Sequence, residues 1–466
     1  MTLRKLHSIK ILGALAAFLA VLSGAVVFGA EKPVSKPAEK AVFQADKAYD
    51  LPALLNLALG NNPYTKLAWQ RAAVASAEVG EARAPYYPKA AFRYVGGIEQ
   101  SFSPVAAGPN YYRIASNTPS VVLEYLLIDF GRRRAEVDRT LNQLAAANLN
   151  YDRQLQKTVF AVQRAYFRHS AALFEEKSAT ANHELAKTLS ESVEEKMKSG
   201  LATEPEVLLA RRTLAQADYD LADSQRAAKT SLGELRTAAG IPANAPLKVD
   251  PIAPPESHAE FQEKLDHLVD AALADRPDLA GRVADLRARE AATAGAKADF
   301  LPKVRAEASY SHEAFQYHAQ DGINGGNFHG DQNQFGAFLV VDWQLFDGFE
   351  RLAKVRQMRA EEQAARADLE IKRLDTILDV WTAYYEVQTA LHRMDAAQAL
   401  LKSSQETFDA LTASFQEGLT TITDLVSARS SLAAAQYAKA EASSDYLTSV
   451  ASLSLAIGAP HGAAKE

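Results

Sequence analysis

Two acids stand at matching places in this sequence. Glu206 closes Thr203-Glu204-Pro205-Glu206, and Asp424 closes Thr421-Ile422-Thr423-Asp424. Threonine followed three residues later by an acid is a capping box, in which each side chain satisfies the other's backbone N–H at a helix start. An acid in a first helical turn also suits the helix dipole. His312, His318 and His329, with Glu313, Asp321 and Asp331, carry the side-chain types that ligate metals. Their irregular spacing in a Gly- and Asn-rich stretch predicts a solvated loop and no metal site. Arg132-Arg133-Arg134 opens a long helical pattern and is expected at a solvated helix end, with lipid headgroups or a lumen as the alternative contact. Arg211 and Arg429 lie five residues past the acids and are expected on helix surfaces. No phosphate-cradling glycine loop with lysine, His-Glu-x-x-His pair, nucleophile elbow or cysteine nucleophile is present, so neither an enzyme nor a cofactor is expected.

The elements that hold these residues are legible from composition. The 466 residues are 48% hydrophobic and 23% charged, which suits a folded chain. The apolar share leans on alanine, the best helix former and one that lets helices approach closely. Arg4, Lys5 and Lys10 precede an apolar run from Ile11 to Phe28, and small residues follow at Ala25 and Ala30. We assign residues 1–30 to a signal peptide cleaved after Ala25 or Ala30, with a membrane anchor as the alternative. Losing those three cations takes the net charge from −6 to −9, which argues against nucleic acid as a partner. There are no cysteines, so an exported chain must hold itself together by packing. Past the signal no apolar run of ~18 residues exists, and entry into a membrane would require a closed β-barrel.

The chain repeats itself. Asn62-Pro63 aligns with Arg276-Pro277, and Tyr87-Pro88-Lys89 with Leu301-Pro302-Lys303, at an offset of 214. After a four-residue insertion the offset is 218. It then aligns Leu127-Ile128-Asp129 with Leu345-Phe346-Asp347, Gly200-Leu201 with Gly418-Leu419, and Ala210-Arg211 with Ala428-Arg429. Residues 49–242 form the first repeat and 263–460 the second, after a flexible segment 31–48, around a linker 243–262, and before a tail 461–466. Each repeat predicts a helix (about 52–83 in the first), a strand hairpin (about 88–129 and 302–346), a long helix (132–199 and 350–417) and a returning helix (203–239 and 421–457). Val304, Ala306, Ala308 and Tyr310 alternate with polar residues. So do Phe335, Ala337, Leu339, Val341, Trp343 and Leu345, as strands of ~10 residues with a lipid face and a wet face would. Polar loops of ~20 residues are expected between paired strands. Four strands cannot close a barrel, so the chain must oligomerise. Ile377, Trp381, Tyr384, Val387, Leu391, Met394 and Leu401 recur at coiled-coil spacing.

These features resemble the TolC-like outer-membrane efflux proteins over nearly the whole chain. Three duplicated motifs carry the resemblance: the Tyr/Leu-Pro-Lys lead-in to a strand, the exit Leu345-Phe346-Asp347-Gly348 with its looser copy Leu127-Ile128-Asp129, and the tips Gly200-Leu201 and Gly418-Leu419. The resemblance implies a mixed α+β membrane protein in the outer membrane with a large periplasmic extension. It implies a homotrimer whose twelve-stranded barrel, four strands per chain and in contact with outer-membrane lipid, continues into an α-helical coiled-coil barrel. It implies an export duct for efflux or type I secretion, working with a periplasmic adaptor protein and an inner-membrane transporter. Gly200, Leu201, Gly418 and Leu419 would be the adaptor-contacting tips, and Glu206 and Asp424 the acids of a pore gate. The family's second acid, three positions on, is Leu209 or Ser427 here, and its basic and tyrosine latch residues are replaced by Thr420 and Phe415. The alternative is a periplasmic coiled-coil scaffold or adaptor that never enters a membrane.

Overall fold

A computed structural model describes residues 43–44, 47–105, 108–252, 263–319, 327–417 and 419–458. The signal segment 1–30, the residues to 42, the later part of the linker, the tail 461–466, Gly418 and Asp321 lie outside the described residues. In chain order the elements are β1 (Ala48–Tyr49), α1 (Leu51–Asn61), α2 (Pro63–Arg83), β2 (Lys89–Val105), β3 (Gly108–Ile128), α3 (Arg132–Lys198) and α4 (Glu204–Ala238). There follow β4 (Lys248–Val249), α5 (Leu265–Asp275), α6 (Pro277–Ala298), β5 (Lys303–Ala319), β6 (Asn327–Asp342), α7 (Glu350–Gln416) and α8 (Ile422–Ile457). Among the described residues no helix is long and apolar enough to cross a membrane. The chain divides into two compact units, and each draws on both halves of the sequence.

The first unit, Val74–Leu144 with Asp285–Arg366, is built on a four-stranded antiparallel sheet of order β2-β3-β5-β6. The register aligns Phe92 with Val121, Val121 with Tyr310 and Tyr310 with Phe335, so one row of apolar side chains crosses all four strands on one face. Lys89, Glu124 and Glu307 form a row on the opposite face, where Arg305 reaches Asp342 at 2.8 Å. The strands are longer than their polarity suggested, at 17, 21, 17 and 16 residues. The expected ~20-residue loops are mostly strand, because a polar side chain facing water leaves backbone pairing intact. Trp343 and Leu345 were expected within β6 but follow its end, and the Trp343 indole donates to the Phe300 carbonyl at 3.1 Å.

The second unit takes the described residues up to Ala73, Ala145–Ala284 and the chain from Ala367 onward. The single helix expected from 52 to 83 is two helices, broken at Asn62 with ψ 126°. Proline at 63 pushes the residue before it out of the helical region, and Arg276 before Pro277 behaves identically with ψ 120°. Both break residues fasten a returning helix. Asn62 Nδ2 donates to the Ala238 carbonyl at 2.9 Å, and Arg276 Nη1 to the Ala456 carbonyl at 3.3 Å. Gly240 (φ +75°) closes over Asn62 so tightly that a Cβ would sit 2.8 Å from its Cα. Arg276, almost fully buried, also pairs with Asp278 and Asp379, each at 2.8 Å. Burial pushes the Asp278 carboxyl up, but hydrogen bonds from Arg276 and Lys372 outweigh it and hold it well below the usual carboxylate range.

α3 and α7 are 67 residues each, ~100 Å of helix at 1.5 Å per residue. In the second unit their buried positions recur every seven residues. α3 buries Thr158, Ala172, Ala179, Ala186 and Val193 beside Val162, His169 and Ser190. α7 buries Leu369, Thr376, Ala383, Ala390, Ala397 and Ser404 beside Val380, Val387 and Met394. Adding 218 carries 158, 172, 179 and 186 to 376, 390, 397 and 404, so the repeats bury one common seam. Period seven is the coiled-coil spacing, and alanine along it permits close approach. The stripe expected from sequence mixed two faces. Val387 and Met394 are buried, whereas Trp381 is half exposed in a second, open stripe of Ile371, Leu374, Leu378, Trp381 and Tyr385.

Candidate functional site: the helix-hairpin tips

In the first tip Gly200 adopts φ +73°, which turns the chain after α3 and lets Leu201 N–H donate to the Lys196 carbonyl at 2.8 Å. Glu206 then accepts Thr203 N–H at 2.6 Å and the Thr203 hydroxyl at 2.8 Å, tying down the start of α4. The second tip repeats this. Leu419 N–H donates to the Ser414 carbonyl at 2.9 Å. Asp424 accepts the Thr421 hydroxyl at 2.6 Å, Thr421 N–H at 3.2 Å and the Thr420 hydroxyl at 3.1 Å. Thr203 through its backbone and then its hydroxyl holds the Glu206 carboxyl below its ordinary range. Thr421 through its hydroxyl and then its backbone, followed by Thr420, does the same for Asp424. Asp424 is exposed and Glu206 half-buried, both at the protein surface. Capping therefore uses both acids while leaving their charge in water.

The two tips share one apolar base. Val193, Val207, Ala210, Ile422 and Val426 form a buried cluster, joined by Leu189, Leu209 and Phe415, and the Lys196 ammonium sits 4.5 Å above the Phe415 ring. Leu201 and Leu419 stay out of it, at 79% and 75% exposure. Large apolar side chains this exposed contribute little to the core.

The arginines fall differently from expectation. Arg211 is on the surface, paired with Glu194 at 2.8 Å. Arg429 is buried and donates to the Asn182 carbonyl, contrary to the helix-surface assignment. Its neighbours are small (Ala428, Ala433), so a face that looked polar is covered by adjacent helices. Arg133, expected to be solvated, is also largely buried. It pairs with Asp129 at 3.1 Å and donates to the carbonyls of Pro85, Leu126 and Leu127. Arg351 repeats the arrangement 218 residues on, with Asp347 and the Asp299 carbonyl. The signal was in the sequence as Asp-x-x-x-Arg at the end of each hairpin. Arg132 pairs with Asp299, while Arg134 remains solvated beside Asp138. His312, His318 and His329 lie on β5 and β6 rather than in a loop, and His312 Nδ1 meets Asn333 Oδ1 at 2.9 Å. Among the described residues no cluster of three or more His, Cys, Asp or Glu is placed to hold a metal.

Comparison with known proteins places this architecture. The family described as outer membrane efflux protein matches residues 54–241 and 268–459, one segment in each repeat. Protein CyaE of Bordetella pertussis is 29% identical over 348 residues, 74% of this chain and 71% of its own. The Campylobacter jejuni CmeC outer membrane channel superposes with a TM-score of 0.75 at 18% identity, covering 93% of this chain and 90% of that one. The outer-membrane channel OprN gives 0.73 at 20%, covering 92% and 95%. At such identity these superpositions speak to the fold. The chain belongs to the outer membrane efflux protein family, as an export duct of the outer membrane with a TolC-like fold and a large helical periplasmic extension.

Proposed function

We propose that three copies of the chain close a twelve-stranded barrel whose helices line a tunnel. The tips at Gly200-Leu201 and Gly418-Leu419 would meet a periplasmic adaptor linked to an inner-membrane transporter, and Glu206 and Asp424 would ring the narrow end. The observation that carries this reading is the pair of free sheet edges. β2 and β6 are 17 and 16 residues long, lie at opposite edges of the sheet, and run in opposite directions. Unpaired edges of that length are aggregation sites unless closed. An edge β6 laid against the β2 of a next copy continues the antiparallel pattern, and head-to-tail pairing of this kind closes into a ring.

Two further features support it. The row Phe92, Val121, Tyr310 and Phe335, exposed except for the half-buried Tyr310, suits lipid, with charged residues on the lumenal side. The open stripe on α7 from Ile371 to Tyr385 has the 3-4-3-4 spacing of a coiled-coil seam, left open among the described residues. Transport needs no chemistry in the chain itself, so energy would come from the transporter.

The test is membrane fractionation with gel mobility of unboiled and boiled mature protein. Recovery with the outer membrane, and a trimer-sized band that collapses on boiling, is the expected result. A monomer in the soluble periplasmic fraction would overturn the barrel.

A further inference from the structure

The two repeats treat one arginine in opposite ways. Arg211 has its counter-ion in Glu194. At the offset of 218 Arg211 becomes Arg429, but Glu194 becomes Thr412, so the second repeat kept the cation and lost the carboxylate. Arg429 is only 6% exposed. One of its Nη groups donates to the Asn182 carbonyl, while Nε and the other Nη are buried without an acceptor. Burial alone lowers its pKa, with no carboxylate acting against it. A buried, uncompensated guanidinium is among the costliest arrangements in a protein.

Arg429 lines a cleft of about 490 Å³ between α4 and α8, over α3. Arg212, Thr213, Asp220 and Tyr437 also line it. Arg212 makes no ion pair among the described residues, and Asp220 is engaged by Gln216 Nε2 at 2.8 Å. Among the lining residues two cations thus face one carboxylate, while Glu175 and Asp223 act on Tyr437 from beyond the lining. Water can meet the free Arg429 donors but carries no charge to pair with the guanidinium. The remaining wall is alanine and uncharged polar side chains with Val426, and the volume leaves room for an ion of several atoms.

We propose that this cleft is an oxyanion-binding site, with Arg429 as its fixed guanidinium and Arg212 as a second cation at its rim. A planar guanidinium with free donors selects carboxylate, phosphate or sulfate oxygens over chloride. The oxygens come either from a free ion or from an acidic side chain of a neighbouring chain.

Thermal unfolding of the full mature protein in detergent, followed by its helical signal, separates these sources. Inorganic phosphate is compared with sodium chloride at equal ionic strength, in wild type, Arg429→Gln and Arg212→Gln. Phosphate stabilises proteins generally by exclusion from their surface, so the difference between variants is the readout. A rise of about 2 °C in wild type that is lost in R429Q and reduced in R212Q identifies a free-ion site. R212Q changes an exposed residue, so it tests the site even where R429Q folds poorly. No phosphate-specific rise in wild type, together with loss of the unboiled oligomer band in R429Q, identifies a carboxylate from a neighbouring chain. An equal rise in all three proteins overturns the proposal, as does no rise with an unchanged oligomer.

Discussion

Glu206 and Asp424 each accept the N–H and hydroxyl of the threonine three residues before them, and that double use makes their two roles separable. Glutamine and asparagine keep a carbonyl oxygen for the cap but carry no charge. Glu206→Gln with Asp424→Asn is therefore expected to leave thermal stability close to wild type while the cation preference of the channel in planar bilayers falls severalfold. Unchanged selectivity would leave the acids as caps alone. Because hydrogen bonds hold both carboxyls below their ordinary ranges, the preference should persist as pH falls through the normal carboxylate range near pH 4. His169 is also shifted down, but by a different cause. Burial first, and the Arg236 guanidinium second, push it down to about 4 from 6.5, and its Nδ1 lies 3.0 Å from the Ser231 hydroxyl. Its folded-state pKa is lowered, so the unfolded chain binds the extra proton between those values. Stability is then full above about pH 6.5 and falls by roughly 3 kcal/mol towards pH 4. His169→Gln should flatten that acid limb in chemical denaturation, and an unchanged limb would place the proton uptake elsewhere.

At the scale of elements, the joint between each hairpin and its long helix is an aspartate–arginine clamp. Arg133 holds Asp129 and three carbonyls at once, so Arg133→Ala strands a buried carboxylate and should cost about 3 kcal/mol. Arg133→Lys should recover little of it, since one ammonium cannot reach four acceptors in a fixed fork. A denaturation midpoint within error of wild type would contradict this. The helices were legible because their signals are local: freedom from proline over 132–199, glycine at a tip, and threonine three residues before an acid. Strand length was not, because alternation weakens toward the polar ends of β2 and β5 while backbone pairing continues. The break at Asn62 was visible as Asn-Pro but was outweighed by the apolar pattern on both sides. Nothing near Arg429 marks it as buried. Its burial is set by α3, more than two hundred residues away, and no local pattern reports such a contact.

For the whole molecule, the open stripe on α7 predicts how copies recognise one another. Leu378 is 63% exposed in a single chain, so Leu378→Glu should leave the monomer folded. In the assembly it would place a charge in an apolar seam and abolish the unboiled oligomer band, whereas an intact band would move the interface to another face. The last turn of α8 carries a different consequence. Arg153 donates to the Leu455 carbonyl at 2.7 Å and Gln156 to the Gly458 carbonyl at 3.0 Å, each joining residues 302 apart. Arg276 waits equally for the Ala456 carbonyl. Arg276 finds carboxylates in Asp278 and Asp379, and Arg153 finds Gln156, before α8 is complete, but each gains its carbonyl on α8 only when the last turn of that helix has formed. That turn therefore ties residues 153, 156 and 276 to one helix end, so removing it should loosen three distant segments of the second unit at once.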